Sequence, residues 1–156
     1  VAKACLSTGR HDEAKGILRK LVQTHHEATD LHQRVSSVLR DHGAAAIAES
    51  LVADSVNEII QLNNDAVKRA RAGELGPAAQ MLTEAAQRLP GNLQIVANAA
   101  AALYFDVLNN GLDAEKVRQA QVFQKAVHEA MPGHPKLAEI AALMAQIRAK
   151  YATSVQ

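Results

Sequence analysis

Apolar residues return along this chain every three or four positions. In "GPAAQMLTEAAQRLP", Ala78, Leu82 and Ala85 lie four and three residues apart, which puts them on one face of a helix. Leu137, Ile140, Ala141, Met144, Ile147 and Tyr151 keep the same spacing near the C-terminal end. No segment alternates with a period of two, as a half-buried strand would. Gly and Pro mark the breaks. Gly73 suits the left-handed end of one helix, Gly76 the cap and Pro77 the first turn of the next, while Pro90, Gly91 and Asn92 stop that helix and cap its successor. The pattern predicts helices over 12–25, 29–41, 45–61, 62–72, 77–89, 93–108, 114–130 and 135–152, after the end of another before Gly9. The stretches 45–61 and 62–72 read as a pair, with one long helix as the alternative. The last helix takes His134 as its cap and Pro135 in its first turn.

The punctuation repeats. After Gly9, the residues Ala14, Leu18 and Leu21 stand at the offsets that Ala78, Leu82 and Ala85 keep from Gly73. After Gly43 the same offsets hold Ala48, Val52 and Ser55. Gly9 and Gly43 are 34 residues apart, and Gly43 and Gly73 are 30 apart. A looser fourth copy has Ala120 and Val127 before Pro132, with Gln124 in the place of Leu82 and a longer turn, "DVLNNGLDAEK".

A period near 34, built from a helix, a Gly-centred turn and a second helix with small residues at fixed offsets and a closing Pro, resembles the tetratricopeptide repeat. The third copy carries the likeness most fully, with Gly73, Ala78, Leu82, Ala85 and Pro90 all in place. Asp65 and Arg69 depart from it, since they stand where such repeats put apolar residues, and the second copy lacks the closing Pro. The resemblance implies an all-α, right-handed superhelical stack of helical hairpins. Its units would be roughly 1–27, 28–60, 61–92 and 93–134, with 135–152 as a C-terminal capping helix, all in a single repeat domain. "IIQLNNDAVKRARAGELGPAAQMLTEAAQRLPGNLQIVANAAAAL" and "AMPGHPKLAEIAALM" look like the repeat domain that follows a receiver domain in certain bacterial response regulators. That likeness covers about residues 28–150. The chain begins at Val1 inside what reads as a helix, so it is expected to be a piece of something longer.

Composition narrows the chemistry. Apolar residues make up 48% of the 156 positions but aromatics only 3%, so Ala, Leu, Val and Ile must close the core through close helix approach. A net charge of +1 gives no bulk attraction to nucleic acid or anionic lipid. Asn98 and Asp106 interrupt the longest apolar run, so no membrane span is expected, and the lone Cys5 fits a reducing, cytoplasmic setting. Seven His include His25, His26 and His32, but adjacent His on a helix point about 100° apart and no zinc spacing recurs, so no metal is expected. "KRAR", Lys68 to Arg71, lacks the interleaved aromatics of a nucleic-acid site. Phosphate loops, nucleophile triads and paired carboxylates in a known frame are absent, which leaves no catalytic residue and no cofactor to assign.

What remains is a surface. In a repeat stack the first helices line a concave groove that takes a peptide or a helix. With 29–41, 62–72 and 93–108 in that role, the groove candidates are Gln33, Ser37, Asn63, Asn64, Arg71, Gln94 and Asn98. Their amides would satisfy the backbone of an extended ligand. Asn63 and Asn64 have a second reading, as a bridge over a break between helices. The places where related repeats clamp a C-terminal carboxylate hold Gln33, Ser37, Asn63 and Val67 here, which does not fit that use. The expected function is a non-catalytic protein-binding scaffold, the output or adaptor part of a bacterial two-component response regulator. The alternative is a regulatory domain that senses a signal peptide or self-associates as a homodimer.

Overall fold

The computed structural model describes residues 1–24, 29–41 and 43–152. All its regular elements are helices: α1 (Ala2–Ser7), α2 (His11–Thr24), α3 (Thr29–Asp41), α4 (Ala45–Arg71), α5 (Leu75–Arg88), α6 (Leu93–Asn110), α7 (Ala114–Ala130) and α8 (Lys136–Ala152). The two stretches left open at 45–61 and 62–72 are one helix, α4. The chain divides into two compact units, Val1–Glu58 and Ile59–Gln156, and the division falls inside α4.

Local chemistry sets most helix ends. The Asn92 side chain accepts the Ile95 N–H at 3.2 Å, and Asp113 Oδ1 accepts the N–H groups of Glu115 and Lys116 at 3.0 and 3.1 Å. His134 Nδ1 accepts the Lys136 N–H at 3.2 Å, so the histidine does cap the last helix. One expected cap is misplaced. Glu74 rather than Gly76 is the N-cap of α5, and Gly76 and Pro77 lie within its first turn, where free N–H groups are normal and a missing one costs nothing.

Gly9, Gly43 and Gly73 occupy equivalent turns. Each has a positive φ, at +74°, +68° and +89°. Each donates its N–H to the carbonyl three residues back, on Leu6, Arg40 and Ala70, and the next residue donates five back, to Cys5, Leu39 and Arg69. This is the Schellman ending, whose left-handed residue is strained for anything but Gly. Five residues after each glycine an Ala N–H makes an early bond of the following helix: Ala14 to Arg10, Ala48 to Ala44 and Ala78 to Glu74. All three alanines are buried.

Beyond that point the copies diverge. Leu18, Leu82 and Ala85 are buried as their offsets predict, but Val52 is 50% exposed and Leu21 is 37% exposed. For Val52 the reason lies in α4. With no turn to reset it, its covered side follows one run of three- and four-residue steps through Ala48, Leu51, Ser55, Ile59, Asn63, Ala66 and Ala70, so Leu51 rather than Val52 faces inward. The same register turns Asp65 and Arg69 to solvent, which explains why polar residues are tolerated there.

In Val1–Glu58, Cys5, Leu6, Ala14, Leu18, Val35, Leu39, Ala44, Ala48 and Leu51 form one core. Lys15 Nζ donates to Ser50 Oγ at 2.8 Å, and Arg19 pairs with Asp54. In Ile59–Gln156 the central element is α6, which packs against α5, α7 and α8. It is buried on nearly every side from Ile95 to Val107, and its Ala97, Ala99 and Ala100 let neighbouring backbones approach. Tyr104 is fully buried there and its hydroxyl donates to Gln124 Oε1 at 3.1 Å. Burial pushes the Tyr104 phenol above the usual tyrosine value, with the charge of Arg148 opposing in part. At the end of α6, Val107 O accepts from the Tyr151 hydroxyl at 3.1 Å as well as from the Gly111 N–H, and Leu108 O accepts from Lys150 Nζ, so α8 is tied to carbonyls of the last turn of α6.

Candidate functional site

Within Ile59–Gln156, α4, α5, α6 and the first turn of α8 enclose an open cleft of about 810 Å³. Five of the seven candidate residues line it: Asn63, Asn64 and Arg71 from α4, and Gln94 and Asn98 from α6. Ser37 is exposed on α3 in the other unit, and the side chain of Gln33 lies outside the described residues. His25 and His26 lie outside them as well.

The amides form a chain. Gln94 Nε2 donates to Asn98 Oδ1 at 3.0 Å, Asn98 Nδ2 donates to Asn63 Oδ1 at 3.0 Å, and Asn63 Nδ2 donates to Asn64 Oδ1 at 3.2 Å. This corrects two expectations. Asn63 is 8% exposed, part of the covered stripe of α4 rather than beside it, and it joins α4 to α6. No break exists at Asn63 and Asn64 for their side chains to bridge, because α4 runs through both.

One to two turns beyond Asn63 and Asn98 the cleft changes character. Ala101 and Ala102 form its floor, Val67 and Leu75 add apolar wall, and Phe105, also lining it, is 39% exposed. Three cations line this part: Lys68, Arg71 and Lys136. Lys68 pairs with Asp65 at 3.2 Å and Lys136 with Glu139 at 3.3 Å. Among the described residues Arg71 meets no carboxylate. A guanidinium can form two parallel hydrogen bonds with a carboxylate.

Sequence reasoning missed Phe105. The available signal was its rarity, since it is one of only four aromatic residues, but its place in a long apolar run read as core. It also missed Asp106, which is 1% exposed and holds Lys116 Nζ at 2.6 Å and Asn110 Nδ2 at 2.6 Å. That hydrogen bond raises Lys116 above the ordinary lysine value. The aspartate breaks the apolar run, as noted from sequence, because it ties α6 to α7.

Among the described residues no group of three His, Cys, Asp or Glu could hold a metal ion, and no helix is long and apolar enough to cross a membrane. No family model, no curated protein and no solved structure matches the chain.

Proposed function

We propose that this chain is a non-catalytic scaffold of the tetratricopeptide type, a right-handed stack of helical hairpins closed by α8, which binds another protein in the cleft between α4 and α6. The observation that carries this reading is the cleft itself, lined by five amides, an exposed phenyl ring and an arginine that meets no carboxylate among the described residues. Repetition supports it. Gly9, Gly43 and Gly73 share one turn geometry, and residues 35 positions apart meet in each unit, Lys15 with Ser50 and Asn63 with Asn98, as neighbouring copies in a stack with a period near 34 would. The setting we propose is cytoplasmic, as the output or adaptor part of a bacterial response regulator, on the likeness of the stretch from Ile59 to Met144.

The test is recovery of a partner. The chain and its Arg71→Ala, Gln94→Ala, Phe105→Ala triple variant are immobilised and exposed to the same bacterial extract, after circular dichroism has matched their helicity. We expect the variant to lose most of any protein the unmodified chain retains. Equal recovery moves binding away from this cleft. Size exclusion at several concentrations separates partner binding from self-association, which needs no extract.

A further inference from the structure

The chemistry of the cleft selects the backbone state of what it binds. An extended peptide brings unpaired N–H and C=O groups along its length, so a groove that holds one must offer free donors and acceptors in mid-groove. Here the two central amides are engaged with each other: Asn98 Nδ2 donates to Asn63 Oδ1, Asn98 Oδ1 already accepts from Gln94, and Asn63 is 8% exposed. The exposed amides of Gln61, Asn64 and Gln94 are confined to the Asn63–Asn98 end of the cleft; from there to Phe105 it presents a floor of Ala101 and Ala102, apolar surface from Val67, Leu75 and Phe105, and the guanidinium of Arg71. A helix satisfies its own backbone and needs only such a surface. Small floor residues let a helix axis come close, and a single carboxylate on its apolar edge would meet Arg71.

On the reading that the cleft binds protein, we infer that its occupant is an amphipathic helix from a partner, with an Asp or Glu bordering its apolar stripe. Between Gln94 and Phe105 the groove runs along α6 for eleven residues, about 16 Å, which matches about three turns of a bound helix. The acid belongs at the Phe105 end, where Lys68 and Lys136 are paired with carboxylates and Arg71, among the described residues, is not.

The test uses two display libraries panned on the 156-residue chain. One is an alanine-rich helix of about 20 residues with one face randomised; the other is a linear library with a central proline, which cannot form that helix. We expect selection from the helical library alone, with an acid next to apolar residues at helical spacing. The selected peptide should bind Arg71→Ala roughly tenfold more weakly. It should lose binding to Phe105→Glu. Arg71→Glu should recover binding when the acid of the peptide is exchanged for lysine, which a merely misfolded variant would not do. Proline-containing peptides that bind equally well and are lost on Phe105→Glu would overturn the helical occupant while leaving the cleft as a protein-binding site. Selected peptides indifferent to Phe105→Glu, or no selection from either library, would count against the cleft and the helix together.

Discussion

Asp106 lies 1% exposed on α6 with its two oxygens held by Lys116 and Asn110, and a carboxylate so placed is stable only while it keeps those partners. Removing one partner of a fully buried pair costs about 3–5 kcal/mol, but the Lys116 side chain is 40% exposed and water replaces part of what it gives. Lys116→Met should therefore cost on the order of 2 kcal/mol in a urea melt, and pairing it with Asp106→Leu should recover part of that loss. The pH dependence follows from the direction of the shift. Because the folded state raises Lys116, the pair contributes fully below the ordinary lysine value of 10.5 and its contribution is lost as pH rises through the raised value. Chemical melts above pH 10.5 should show a loss of stability in the unmodified chain that is smaller in Lys116→Met. Thr83 is the opposite case, a buried hydroxyl oxygen with no partner among the described residues. Thr83→Val keeps the shape and removes the unmet group, so it should leave stability unchanged or raise it by up to about 1 kcal/mol.

At the scale of elements, the glycines divide by backbone angle. Gly73→Ala places a side chain at φ +89° and should cost about 1–2 kcal/mol, even though nothing lies within 4 Å of the added atom. Gly16 sits inside α2 at an ordinary angle with equally open space, so Gly16→Ala should gain about 0.5–1 kcal/mol. A thermal melt of the two variants side by side checks both signs. Ala78, fully buried near the start of α5, should resist enlargement: Ala78→Leu overpacks and should cost about 1–3 kcal/mol. Helix positions, the three turns and the capping role of His134 were all legible, because each is written in residues within a few positions of one another. The facing of Val52, Leu21 and Asn63 was not. For Val52 and Asn63 it depends on whether α4 restarts or runs on, and the weak helix formers Asn63, Asn64 and Asp65 read locally as a break that the long helix overrides; the exposure of Leu21, on α2, has no such explanation.

For the molecule as a whole, the site was legible as a set but not in its working parts. Five of seven candidate residues share one cleft, because polar residues at helical spacing on two like helices must share a face when those helices lie side by side. Their division of labour depended on contacts between residues 35 positions apart, which no local pattern announces: Asn63 and Asn98 hold each other, while Arg71 and the overlooked Phe105 stay open. The chain also carries two natural reporters. It has no Trp, and its two Tyr and two Phe, at positions 104, 151, 105 and 123, all fall in Ile59–Gln156, while its one Cys falls in Val1–Glu58, 1% exposed. Near-ultraviolet spectra therefore follow one unit alone, and the rate at which Cys5 reacts with a thiol reagent follows the other. Recorded against the same denaturant series, without any added label on the aromatic side, the two signals give each unit its own midpoint, and their coincidence or separation measures how far cooperativity extends along the chain.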